Sequence, residues 1–224
     1  DAFNVAVGYS SGASMTTGTL NTIIGALAGD AITSSIANVA IGYNALSAED
    51  THGKNVAVGY QALKVQNAGA DGYNTAVGFE AGKTISTAVR NTLIGGLAGD
   101  AITTGSDNVS LGYNSLSSST IGNSNVAIGS FTMGTNVAAD RNVAIGLGSL
   151  QNMTSATTAD TYNTAIGYNA GKEVTSGVNN TLIGAKAGDA LVDDSNNTAV
   201  GGDCMTSLQT DNCTAVGYGS MFAA

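Results

Sequence analysis

The chain of 224 residues has no proline, no tryptophan, one histidine, two cysteines and few charges, 10% of the total. Each shortage excludes something. Seven Lys and Arg stand against sixteen Asp and Glu, a net charge of −9. Such a chain offers no basic stripe for phosphates, which argues against nucleic acid as a partner and against simple electrostatic adhesion to anionic surfaces. No run of 18 apolar residues occurs, so no membrane-inserted helix is expected. Paired carboxylates at a single site are not evident, and no unrepeated cluster of reactive residues stands out. An enzyme is therefore not expected, and neither catalytic, cofactor-binding nor metal-binding residues are assigned.

What the chain has in abundance is repetition. The motif Asn-[Val/Thr]-Ala-[Val/Ile]-Gly, with tolerated variants, returns thirteen times at a nearly constant interval, from Gly8 through Gly25, Gly42 and Gly59 to Gly217. A fixed period, here about 17 residues, means one small unit stacked on its neighbours, hence a single elongated domain over 1–224. β-Branched residues at the second and fourth positions (Val5 and Val7, Thr22 and Ile24, Val39 and Ile41) mark each motif as a short strand. The third position, usually Ala as at Ala6, Ala40 and Ala57, lies on the opposite face, so both faces are apolar or small. Gly at the fifth position permits a positive φ or a close backbone approach. Segments such as Asn44-Ala45-Leu46 suggest a second half-rung, so that each repeat holds two short strands and two turns around a thin core of Ala, Val and Ile. The expected fold is an all-β, parallel β-solenoid of 13 rungs, about 60 Å long at about 4.8 Å per rung.

The leading Asn recurs as Asn4, Asn21, Asn38, Asn55, Asn74, Asn91, Asn108, Asn125, Asn142, Asn163, Asn180 and Asn197, giving way only to Cys213 in the last rung. These amides are candidates for a structural ladder or for caps on the turn entering each strand. Two rungs are longer, from Asn55 to Asn74 with the extra length at 65–73 and from Asn142 to Asn163 with it at 151–162, and both predict loops bulging from one edge. Thr22-Ile23-Ile24-Gly25-Ala26-Leu27-Ala28-Gly29-Asp30 returns nearly unchanged at 92–100 and 181–189, a sign of growth by block duplication.

Local candidates for chemistry are weak. Gly8-Tyr9-Ser10-Ser11-Gly12 matches a nucleophile-elbow pattern without the helix that should follow, and Gly82-Lys83-Thr84 misses phosphate-loop spacing by one residue. His52, beside Glu49 and Asp50, reads as a solvated turn. Asp30, Asp100 and Asp189 read as acceptors in a turn, with calcium bridging as the alternative. Tyr9, Tyr43, Tyr60, Phe79, Tyr113, Tyr168 and Tyr218 follow the motif Gly and suit packing over the turn or between subunits, or stacking on sugars. Cys204 reads as a small packing residue, and it and Cys213 as free thiols, with a disulfide in an oxidising setting as the alternative. Formal sequons such as Asn152-Met153-Thr154 and Asn179-Asn180-Thr181 are what an Asn- and Thr-rich repeat produces by chance. Because a thin solenoid buries one strand face, the other calls for identical copies, a homo-oligomer.

Asn-Val-Ala-Ile-Gly at 38–42, 125–129 and 142–146 resembles the head repeats of YadA-type trimeric autotransporter adhesins. Asn163-Thr164-Ala165-Ile166-Gly167-Tyr168-Asn169-Ala170-Gly171 is similar to repeats of bacteriophage tail fibres, cyanophages among them. The period here is longer than that of the adhesin head repeat. The resemblance implies a left-handed β-roll wound as a homotrimer, extracellular, on a virion or a bacterial surface. It implies a stiff spacer and host-attachment element of a tail fibre, engaging a cell-surface glycan or protein; the alternatives are an adhesin head or extracellular filament, and a ligand- or ice-binding solenoid. The absence of an initiating Met and of a signal peptide suggests a segment of a longer chain.

Overall fold

The computed structural model describes residues 2–155, 159–207 and 209–222. Thirteen three-residue strands, the first at Val5–Val7 and the last at Thr214–Val216, form one parallel sheet in sequence order. Each pairs with the copy one rung on: Val5 faces Thr22, Thr22 faces Val39 and Val39 faces Val56. The step lengthens where Val56 faces Thr75 and where Val143 faces Thr164, and shortens where Thr198 faces Thr214. The result is a β-solenoid of about twelve turns, about 17 residues apart, with no helix among the described residues.

The second strand expected in every rung is not there. Outside the main sheet stand only the short pair Ala139–Asp140 with Ala159–Asp160 and an isolated bridge from Thr19 to Ile36, among the described residues. The reason lies in the backbone. Asn44 and Leu46 have φ of 54° and 51°, and Gln61 and Leu63 have 55° and 48°. A chain that enters the left-handed region at every other residue cannot run extended. Those turns nevertheless bond along the stack as strands do: Gly29 N–H donates to the Ala45 carbonyl at 2.9 Å and Leu46 N–H to that of Ala62 at 3.0 Å.

Among the described residues, the interior is lined by the third motif position and by the positions seven, eight and eleven residues after the Asn. Ala40, Ala57, Ala127 and Ala144 are fully buried, whereas the flanking Val, Thr and Ile of the same strands look outward. The core is therefore built of Ala, Leu, Ile and Met rather than of Ala, Val and Ile. Its volumes compensate from rung to rung. Where the third position is large, as at Leu93, glycines flank it: a Cβ on Gly82 would stand 2.7 Å from Leu93 Cδ1, and one on Gly99 2.8 Å from Cδ2. Leu182 sits likewise between Gly171 and Gly188. Where the third position is Ala40, Ala57 or Ala144, the large residue comes six later, as Leu46, Leu63 or Leu150. Two apolar clusters, over residues 23–102 and 116–215, meet at a rung whose interior carries Ser110, Ser115 and Ser119. There Ser110 Oγ is 2.9 Å from Ser115 Oγ, which donates to the Ala127 carbonyl at 3.1 Å.

The closing Gly answers both sequence arguments at once. Gly112 has φ of 142°, and a Cβ there would lie 2.6 Å from the carbonyl oxygen of Gly129, one rung on.

Candidate functional site

The asparagine ladder is continuous along the described chain. Each Oδ1 accepts the backbone N–H of the next Asn at 2.8–3.1 Å, from Asn4 to Asn21 and onward, until Asn197 accepts from Cys213 at 3.0 Å. In regular rungs the Nδ2 donates to the carbonyl 14 residues on, as Asn108 does to Gly122 at 2.8 Å and Asn163 to Gly177 at 2.8 Å. Eight of the asparagines thus close their own turn as well as securing the next rung, serving as both cap and ladder. All but the first are buried. The donor loses that target mainly where rung length departs from the repeat. Asn55, which opens the long rung that ends at Asn74, and Asn197, which opens the short one that ends at Cys213, have an Nδ2 with no hydrogen-bond partner.

In both long rungs the residues just before the next Asn make the same contact, residues 156–158 of the second lying outside the described residues. Asp71 and Tyr73 grip Lys54 of the preceding rung, with Nζ 2.6 Å from Asp71 Oδ2, 2.9 Å from the Tyr73 hydroxyl and 5.0 Å from its ring. Asp160 and Tyr162 grip Arg141 in the same way. The Lys54 ammonium holds the Asp71 carboxyl below the usual carboxylate range.

Outward-facing positions form an apolar ridge. Val7, Ile24, Ile94, Leu111, Ile166 and Ile183 are all more than a third exposed, and beside them run the aromatics that follow the motif Gly. Tyr43, Tyr60 and Phe79 stack with centroids 5.4 and 5.3 Å apart, while Tyr113 meets Phe131 edge to face at 5.6 Å. Both faces of Tyr60 are occupied by neighbouring rings, which leaves its edge for a partner and removes it as a sugar-stacking platform.

Glu49, Asp50 and His52 do not form the solvated turn that their sequence suggested. Glu49 is fully buried and His52 half-buried, and one ligand atom from each of the three lies within 4.8 Å of the others. Burial pushes the Glu49 carboxyl up from 4.5 to about 7, against the lowering effect of its hydrogen bond from the His52 N–H at 2.9 Å.

Asp30 and Asp100 each carry a buried Oδ1 without a partner, so the proposed turn-acceptor role does not account for that oxygen. Burial raises the Asp100 and Asp189 carboxyls. Cys204 packs in the core, its thiol raised by burial, and both it and Cys213 are free. Ser10 lies in a turn with φ of 52°, and Ser11 Oγ donates to the Ile23 carbonyl at 3.0 Å. Asn179, Asn196 and Asn212 are exposed. A hollow at the last rung is lined by Asp203, Tyr218, Gly219 and Phe222.

Compared with family models, curated proteins and solved structures, the chain matches none.

Proposed function

We propose that this chain is a stiff, load-carrying segment of an extracellular attachment fibre of the phage tail-fibre kind, assembled as a homotrimer. One observation carries the reading: an outward column of Val, Ile and Leu continues from Val7 to Val216, with aromatics beside it at seven rungs. A stripe about 60 Å long is more than a solitary soluble chain leaves bare, and identical copies related by rotation cover it most economically. Backbone bonds repeated from rung to rung among the described residues suit a rod that transmits force rather than a hinge. Three-fold assembly would also multiply weak contacts made by the loops of the two long rungs with a host glycan or protein.

Light scattering after gel filtration tests this directly. The expected result is a species of about 66 kDa, three chains of 22.0 kDa, eluting early for its mass because it is elongated. A monomer of 22.0 kDa with the ridge exposed would overturn the reading.

A further inference from the structure

Among the described residues, the side chain eleven positions after a ladder Asn turns into the solenoid. Most rungs place an apolar group there: Ile32, Ile85, Ile102, Met153, Val174 and Leu191. The rung that begins at Asn38 places Glu49 in this column, directly after Ile32, and Glu49 is buried as completely as its neighbours. Its Oε1 accepts the His52 N–H, but its Oε2 is buried with no hydrogen-bond partner. An unpartnered carboxylate oxygen in a protein interior is costly unless something of opposite charge or a donor meets it.

The same turn supplies further donors. Asp50 and the one histidine of the chain converge on Glu49 within 4.8 Å, and the Thr51 hydroxyl bridges Asp50 Oδ1 at 3.1 Å and His52 Nδ1 at 3.0 Å. The adjoining cation does not neutralise them, because Lys54 is engaged by Asp71 and Tyr73. Two carboxyl groups and an imidazole are left within 4.8 Å of one another with no free cation beside them among the described residues. One rung on, the column carries Gln66, whose Nε2 is likewise unpartnered. It offers a neutral donor, not a counter-charge.

We propose that Glu49, Asp50 and His52 form a binding site for a divalent transition-metal cation of the zinc class. Two oxygens and one imidazole nitrogen suit zinc, whereas calcium and magnesium take oxygen ligands almost exclusively. Donors now up to 4.8 Å apart need to close by up to about 1.4 Å to meet tetrahedral zinc at about 2.0–2.2 Å, a movement within reach of a turn. Water would complete the coordination. The bound cation would tie Glu49, Asp50 and His52 together and so fix the turn that leads into the first long rung.

Titration calorimetry of the chelator-treated chain with zinc chloride tests the site. One zinc per chain, a dissociation constant in the micromolar range and a rise in Tm of several degrees are expected, with magnesium and calcium chlorides giving neither. Glu49→Gln and His52→Ala should each weaken zinc binding at least tenfold. Glutamine is what the next rung carries in this column, so Glu49→Gln should fold, and an unchanged far-UV CD spectrum verifies it. The proposal is overturned if zinc is not taken up, or if uptake survives in both variants, which would place it elsewhere, such as on the Cys204 or Cys213 thiol.

Discussion

Asn108 offers the sharpest test of how the rungs are held. Its Oδ1 accepts the Asn125 N–H at 3.0 Å and its Nδ2 donates to the Gly122 carbonyl at 2.8 Å. Asn108, Asn125 and Gly122 are all buried. Asn108→Ala leaves that N–H and that carbonyl without these partners in a place water does not reach. At about 1–3 kcal/mol for each orphaned group, the cost is about 4 kcal/mol. Stacked repeats interact only with nearest neighbours, so the loss should concentrate at the rungs beginning at Asn108 and Asn125. Hydrogen exchange measured by mass spectrometry reads it: amides of those two rungs should lose about three orders of magnitude of protection, with the rungs near Asn21 unchanged. Asn108→Asp sharpens the test. An ionised carboxyl keeps the acceptor but turns a second oxygen toward the Gly122 carbonyl, while the protonated form restores the donor. Its folded pKa should therefore lie above the unfolded value, and the variant should gain stability as pH falls. A cost under about 1 kcal/mol, or protection lost evenly along the rod, would refute the ladder as the element that joins the rungs.

Other perturbations follow from the same geometry. Because Glu49 is raised from 4.5 to about 7 in the folded chain, the metal-free protein should be most stable below the unfolded value and weaken as pH climbs through that interval. The change should be about 3 kcal/mol by denaturant titration, and Glu49→Gln should flatten it. Gly112→Ala forces a left-handed φ of 142° on a residue with a Cβ and drives that atom into the Gly129 carbonyl, so a loss of at least about 3 kcal/mol in urea unfolding is expected. Leu93→Ala opens a cavity between Gly82 and Gly99, where no side chain is available to fill it, at about 3–5 kcal/mol by the same assay. Arg90→Ala, by contrast, removes an exposed bidentate pair with Asp107 at 2.6 and 2.8 Å and should cost less than about 1 kcal/mol.

The sequence by itself determined the period, the position and direction of every main strand, the glycine that closes each one and the asparagine that opens it. These are local requirements repeated thirteen times: a β-branched pair, a backbone position closed to a Cβ, and an amide at a constant offset. It could not say which strand face is interior, because alternation places small or apolar residues on both. Packing volume decided that, turning Ala40 and Ala57 inward against Leu46 and Leu63 and leaving Val39 and Ile41 for the outside. Nor was the second half-rung fully legible as turns: Gly29, Gly82 and Gly99 mark its second left-handed position in their rungs, but Leu46 and Leu63 hold the same place in others, with Leu27 and Gln61 at the first, all held there by bonds from the adjoining rungs. Glu49 looked like an ordinary surface acid beside Asp50. Only the winding of the chain placed it in a buried, mostly apolar column next to Ile32, because burial depends on where the position eleven residues after the Asn falls and not on what residue stands there.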